Sequence, residues 1–243
     1  MYKYREVFYK KYFDNQAGRH ISTDIQEVLR VESDHFLYEI IPFFPSDRKL
    51  EILDIGCGYG ALIHAAHQLG YENIQGIDIS PDQVEVAKKL GINGVHCADL
   101  LPFLKANPAK FDLICGIDII EHFGKDELVE LLSLVRDSLK PRAKAIFRTP
   151  NLDAPLGTMY AYGDFTHENY MNGFSARQVM LSCGFSGVEV YPSKIAIKGL
   201  LKQILQKFFF KCIQVNAKIQ LLATGRSSKH LVLTPNMIIE VTR

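Results

Sequence analysis

The sequence predicts an α/β protein built on a doubly wound sheet, and three observations carry that expectation. Short apolar runs alternate with helical patterns from Leu50 to Arg148. Alternation at that spacing means parallel strands with crossover helices. The first run, LEILDIGCGYG over 50–60, ends in three closely spaced glycines. This is the turn of a buried strand into a helix, where a ligand can approach bare backbone and the helix N-terminus favours a negative group. Finally, three successive strands end in the acids Asp54, Asp78 and Asp99.

Taken in order, residues 1–45 read as an N-terminal helical cap. Tyr2, Tyr4, Phe8, Tyr9, Tyr12 and Phe13 crowd its start, and a helical pattern from Thr23 to Ile41 stops before Pro42. Residues 46–243 then form one domain. Strands are expected at 50–55, 73–78, 93–97, 111–117 and 143–148, with helices from 60, from Pro81 and from Asp126. Ser80-Pro81 supplies an N-cap followed by proline at the first helical position, and Lys140-Pro141 closes the Asp126 helix. The alternation breaks at 149–174, a long aromatic-rich loop that reads as an ordered lid on the acceptor side. A helix from Ser175 to Cys183, a strand from Phe185 to Tyr191 and a last strand from Asn236 to Thr242 follow.

Composition narrows the class. The 243 residues suffice for one large α/β domain with an elaboration, and the net charge of +1 gives no global pull towards nucleic acid. The opening MYKYREVFYKKYF shows no signal pattern, and no run of eighteen apolar residues is present. Five cysteines without a CxxC pair suit a reducing cytoplasm, with Cys57, Cys97 and Cys115 as small buried hydrophobes of core strands.

Asp78 ends a strand about twenty residues after the glycines, where an acid binds the two hydroxyls of a ribose. Asp99 is placed to accept the exocyclic amine of an adenine. The glycine spacing, Gly56-x-Gly58-x-Gly60, differs from the dinucleotide fingerprint. The ordered set from Glu51 to Arg148 resembles the class I S-adenosylmethionine-dependent methyltransferases. That resemblance implies a Rossmann-like seven-stranded sheet with an antiparallel last strand. It also implies S-adenosyl-L-methionine as cofactor, held by Asp54, Gly56, Gly58, Asp78 and Asp99 with their neighbours Cys57, Ile79 and Leu100.

An activated methyl donor asks the protein for alignment and, with a hydroxyl acceptor, for a base. Beyond the fourth strand stand Asp118, Glu121 and His122. Their acid-x-x-Glu-His pattern resembles ubiquinone-pathway O-methyltransferases, in which a divalent cation can sit at such groups. Aspartate at the first position shortens the reach, and no metal ligand is assigned. His167, with Asp164 or Glu168 to orient it, is the rival base. The segment Thr149-Pro150-Asn151 followed by Asp164-Phe165-Thr166-His167 resembles methyltransferases of bacterial polysaccharide and O-antigen biosynthesis. In those proteins the segment overlies the acceptor pocket, which places Asp164 among the acceptor contacts; Arg148 and Asn151, at the end of the fifth strand, are placed to bind acceptor hydroxyls or a phosphate.

The insertion 193–229 is the last feature. From Pro192 to Asn236 there are eight lysines and arginines and no aspartate or glutamate. Ile197, Leu200, Leu201, Ile204, Leu205 and Phe208 share one helical face, with Lys198, Lys202, Lys207 and Lys211 off it. That face is expected either to pack on the body or a second copy, or to meet an anionic membrane through 194–222. The expectation is therefore a cytoplasmic enzyme, peripheral at the inner membrane face, that O-methylates a sugar or lipid-linked glycan. The alternatives are a small aromatic or quinone-precursor acceptor with a cation requirement, and a donor-binding scaffold without turnover. Nucleic acid is not favoured, since GIDI stands where an amine-methylating Asp/Asn-Pro-Pro motif would lie.

Overall fold

The computed structural model describes residues 7–8, 24–194, 197, 199–229 and 231–243. Most of the aromatic N-terminal segment, Tyr2, Tyr4, Tyr9, Tyr12 and Phe13 included, lies outside them, as does Lys198. The first helix, α1 (Ile25–Glu39), begins where the Asp24 carboxylate accepts the Gln26 amide at 3.0 Å. A 3-10 turn (Ile41–Phe43) leads from it to β1 (Ile52–Ile55). The alternation then continues through α2 (Ala61–Gln68), β2 (Ile74–Asp78), α3 (Pro81–Lys89), β3 (Val95–Cys97), α4 (Leu100–Lys105) and β4 (Phe111–Ile117). A second 3-10 turn (Ile120–His122) precedes α5 (Lys125–Ser138), β5 (Leu139–Pro150), α6 (Gly157–Ala161), α7 (Gly173–Ser182), β6 (Gly187–Pro192), α8 (Leu200–Ala223) and β7 (Asn236–Thr242).

The strands form one sheet in the order β3-β2-β1-β4-β5-β7-β6. β1 to β5 are parallel, and β7 runs antiparallel to both β5 and β6. The seven-stranded sheet with its antiparallel last strand is the expected one. Its two faces are covered separately. Leu53 and Ile55 of β1 pack with Leu131, Leu132 and Val135 of α5 and Met180 of α7. Ile52 packs on the other side with Leu29 of α1, Leu62 of α2 and Val84 of α3. Burial on both faces explains why the parallel strands read as continuous apolar runs. Phe147 is fully buried in β5, and its truncation to alanine costs about 3–5 kcal/mol.

Local departures have local causes. The helix expected to run to Lys140-Pro141 ends at Ser138, because Leu139 already pairs with Phe111 in the sheet. α4 was hidden by Pro102, yet proline is tolerated in a first helical turn, where its missing N–H has no partner to lose. Cys115 is buried as expected, but Cys97 is exposed, because β3 is the sheet's edge and only Val95 of its three residues is buried. The loop 149–174 is ordered around α6 and a bridge between Asn151 and Met171.

Candidate active site

The glycine turn and α1 enclose a cavity of about 700 Å³ above the carboxyl ends of β1 and β4. Gly56 holds a left-handed φ of +66°, and a Cβ there would lie 2.7 Å from Ile119 Cδ1. Gly60, at φ +87°, would put a Cβ 2.7 Å from Val95 Cγ2. Both positions need glycine for conformation and for space. The Asp78 carboxylate accepts the Gly58 amide at 2.9 Å and the Ser80 amide at 2.8 Å. One side chain thus fixes the loop, the strand end and the start of α3. Asp54, 3% exposed, lines the cavity, and burial followed by the nearby Asp78 charge raises its pKa to about 8.

The opposite wall comes from α1, through Val31, Glu32, His35 and Phe36. The Tyr59 hydroxyl donates to Glu32 and ties this wall to the glycine turn. The sequence patterns mark α1 as a helix of the N-terminal cap but not as a wall of this cavity, and they do not single out Gln83, another lining residue. Both enter through packing, and Glu32 and His35 look like ordinary surface charges of an amphipathic helix. The predicted donor residues divide. Asp54, Gly56, Cys57 and Gly58 line the cavity, and Asp78 braces it. Asp99 is exposed and caps α4 by accepting the Leu101 amide at 3.3 Å. Asp99, Leu100 and the exposed Ile79 are not among the described residues that line the cavity.

Asp118 and Arg148 close the far end. The guanidinium forms a bidentate pair with Asp118, Nε to Oδ1 at 3.0 Å, and its Nη1 reaches Glu39 Oε2 at 2.6 Å. Burial works against the charge on Arg148, and the two carboxylates more than offset it, so its pKa is raised. Asp118 sits at φ +53°, a turn that directs its carboxylate to Arg148. Asn151 is fully buried. Its amide donates to the Val232 carbonyl at 2.8 Å and the Thr234 carbonyl at 3.0 Å, and its oxygen accepts from the Asp153 amide. Its polar atoms therefore hold the carboxyl-terminal segment against β5.

The two histidines read as rivals are neighbours, with ring centroids 4.8 Å apart. His167 Nδ1 lies 2.7 Å from the Ala161 carbonyl, which can only accept, so Nδ1 carries the proton. Thr166 Oγ1 donates to Asp164 at 2.6 Å and lies 2.9 Å from His122 Nδ1. With its hydroxyl proton on Asp164, Thr166 accepts from His122 Nδ1. Both imidazoles thus carry their lone pair on Nε2. Asp164 orients His122 through Thr166, and it is a backbone carbonyl that orients His167. Burial and then His167 lower the His122 pKa to about 4.

Glu121, 1% exposed, accepts from the Thr149 hydroxyl at 3.1 Å, and burial followed by Asp118 raises its pKa. Glu121, His122 and His167 each offer one ligand atom, all within 4.8 Å of one another. Two imidazoles and a carboxylate suit a divalent cation. Asp118, paired with Arg148, is not part of this group, and His167, from the loop, supplies the third member.

Residues 29–190 match the family model described as "Methyltransferase domain". The ubiquinone biosynthesis O-methyltransferase of Bartonella bacilliformis is 30% identical over 131 residues, covering 52% of this chain and 50% of that protein. Its namesake in Pseudoalteromonas translucida is 28% identical over 116 residues, 46% of this chain and 48% of that one. The chain spans about half the length of these curated relatives. Among solved structures, a SAM dependent methyltransferase from Archaeoglobus fulgidus superposes with a TM-score of 0.66 at 20% identity, covering 88% of this chain and 94% of that one. Haemonchus contortus phosphoethanolamine N-methyltransferase 2, in complex with S-adenosyl-L-methionine, gives 0.57 at 18% identity over 86% and 52%. These two show the fold. The chain belongs to the methyltransferase family that the matched model describes.

Proposed function

We propose that this methyltransferase moves the methyl group of S-adenosyl-L-methionine to a hydroxyl oxygen of a small aromatic, quinone-precursor acceptor. The donor's residues fit. The Gly56–Gly60 turn leaves backbone open to a ligand, Asp78 is presented at the end of β2, and Asp54 offers a carboxyl to a cationic group. When bound, the sulfonium supplies an already activated methyl group. The protein's part is then to align the acceptor oxygen, exclude water and receive the hydroxyl proton. The observation that carries the oxygen-acceptor reading is the Glu121–His122–His167 cluster beside Arg148, with the lone pair of each imidazole on Nε2. As the O–C bond forms and the C–S bond breaks, that proton passes to an Nε2 atom.

The relatives named above favour the aromatic acceptor, the alternative of the sequence reading. The polysaccharide acceptor drawn from the Asn151 and Asp164–His167 pattern gains no support from these comparisons. Acidity points the same way, because a phenol near pKa 10 gives up its proton far more readily than an aliphatic alcohol. An imidazole held near 4 is still a weak base for it. That mismatch favours a second reading, in which Glu121, His122 and His167 hold a divalent cation. The cation would lower the pKa of the chelated hydroxyl.

The test is transfer of labelled methyl from the donor to a dihydroxybenzoate or to nucleotide sugars, with and without chelator. Label in the phenol that is lost with chelator supports the cation reading. Label that persists with chelator supports the histidine base alone. Label only in sugars, or donor binding without transfer to any acceptor, overturns the aromatic assignment.

A further inference from the structure

We propose that α8 lies in the plane of an anionic lipid bilayer and anchors the acceptor side of the protein there. None of its 24 residues is buried. Leu200 is 75% exposed, Leu201 70%, Phe208 62% and Leu222 80%. The expectation that this face packs on the protein's own core is therefore not met. Leu201, Ile204, Leu205, Phe208, Val215, Ile219 and Leu222 recur at helical spacing and form one stripe about 32 Å long. Lys207, Lys211 and Lys218 line one edge of it and Lys202 the other. Edge lysines can lay their stems along the apolar stripe and lift their ammonium groups to the headgroups. No helix among the described residues is long and apolar enough to cross a membrane.

Charge selects the occupant. The eight basic residues between Pro192 and Asn236 face no acid in that stretch, which leaves twenty basic against twenty-seven acidic residues in the rest of the chain. The body is repelled by an anionic surface and the insertion is drawn to it, so the charge distribution sets the orientation as well as the contact. A second copy is a poorer match. Two α8 helices joined along Leu205, Phe208, Cys212, Val215, Ile219 and Leu222 would bring Lys202, Lys211 and Lys218 alongside with no acid on either helix to pair them.

The arm is attached close to the chemistry. At its base, the Ser193 amide donates to Thr234 Oγ1 at 3.0 Å and the Lys194 amide to Glu39 Oε1 at 3.2 Å. Glu39 is the carboxylate that holds Arg148, and Asn151 grips the returning strand at Val232 and Thr234. A membrane bound by α8 therefore lies next to the strand end that carries the acceptor-side residues. Lipid binding by α8 is measured without any assay of methyl transfer.

The experiment is flotation of the full chain with vesicles of phosphatidylcholine alone or with phosphatidylglycerol added. The wild type is expected to float with the anionic vesicles at least tenfold more than with the neutral ones, and to be released by salt. Lys202→Glu, Lys207→Glu, Lys211→Glu and Lys218→Glu together are expected to lower partitioning by roughly a hundredfold or more. Phe208→Gln with Leu222→Gln weakens it as well. Unchanged melting temperature and donor binding would show that the variants are folded. Equal flotation with both vesicle types, or none with either, overturns the proposal. So does a lipid-free wild-type dimer that Phe208→Gln with Leu222→Gln converts to a monomer.

Discussion

The two ends of the candidate active site are built differently. On the donor side, Asp54, the glycine turn, Asp78, Ser80 and Gln83 lie within thirty residues of one another along β1, α2, β2 and the start of α3. Their geometry comes from backbone conformation and a few short-range hydrogen bonds. On the acceptor side, Glu39 of α1, Glu121 and His122 of the second 3-10 turn, Arg148 and Thr149 of β5 and His167 of the loop meet only because the sheet is folded. The comparison teaches that a ligand common to many proteins can be held by a local motif. The candidate acceptor site is assembled from distant pieces, each of which can vary on its own.

The largest expected effect lies on the acceptor side. His122→Ala combined with His167→Ala should lower kcat by about 10²–10⁴-fold, while donor affinity stays within a factor of two or so. A parallel loss of donor binding would break the separation of the two ends. Next, Asp78→Ala removes the acceptor of two loop amides and should weaken donor binding about 10- to 100-fold, as titration calorimetry would show. The effect of pH should fall on the donor side. Asp54 keeps its proton below about 8, and a cationic ligand favours the carboxylate, so binding releases that proton. Donor affinity should rise by up to about tenfold per pH unit between 6 and 8, and Asp54→Asn should flatten that slope. Without ligand the sign reverses: the folded chain keeps a proton that the unfolded chain gives up, so Asp54 costs stability increasingly as pH rises from about 4 to 8. The smallest effect sharpens the boundary between site and scaffold. Thr166→Val should lower kcat roughly tenfold by releasing His122 from Asp164, and Thr166→Ser should restore it.

Much of the donor side was legible because its causes are local. The left-handed turn at Gly56 demands glycine, Ser80-Pro81 announces a helix, and Asp78 stands at a strand end. Asp99 was legible as an acid after a short strand, which suits either a helix cap or an adenine, while proline at 102 concealed the helix it caps. The acceptor residues were legible as residue types but not as a constellation. Nothing in the spacing of His122 and His167 says that their rings meet, since the loop 149–174 is placed by Asn151, Met171 and the contact of Thr166 with His122. The wall formed by α1 was invisible for the same reason. Of the aromatic segment at the start of the N-terminal cap, the described residues include Phe8, whose ring lies 5.3 Å from that of Phe165 in the acceptor-side loop. The basic stripe of α8 was legible in its first half, from Leu200 to Lys211, while its continuation to Leu222 and its exposure were not, because periodicity gives a face and not what that face touches.

If the two ends are separate, the glycine turn and its acids hold the donor independently of the histidine cluster. Calorimetric titration with S-adenosylhomocysteine, the demethylated donor, tests it on the wild type, Asp78→Ala and the paired His122→Ala and His167→Ala variant. Wild-type affinity is expected in the histidine variant, and a loss of about tenfold or more in Asp78→Ala. Weakened binding in the histidine variant, with Asp78→Ala unaffected, would contradict it.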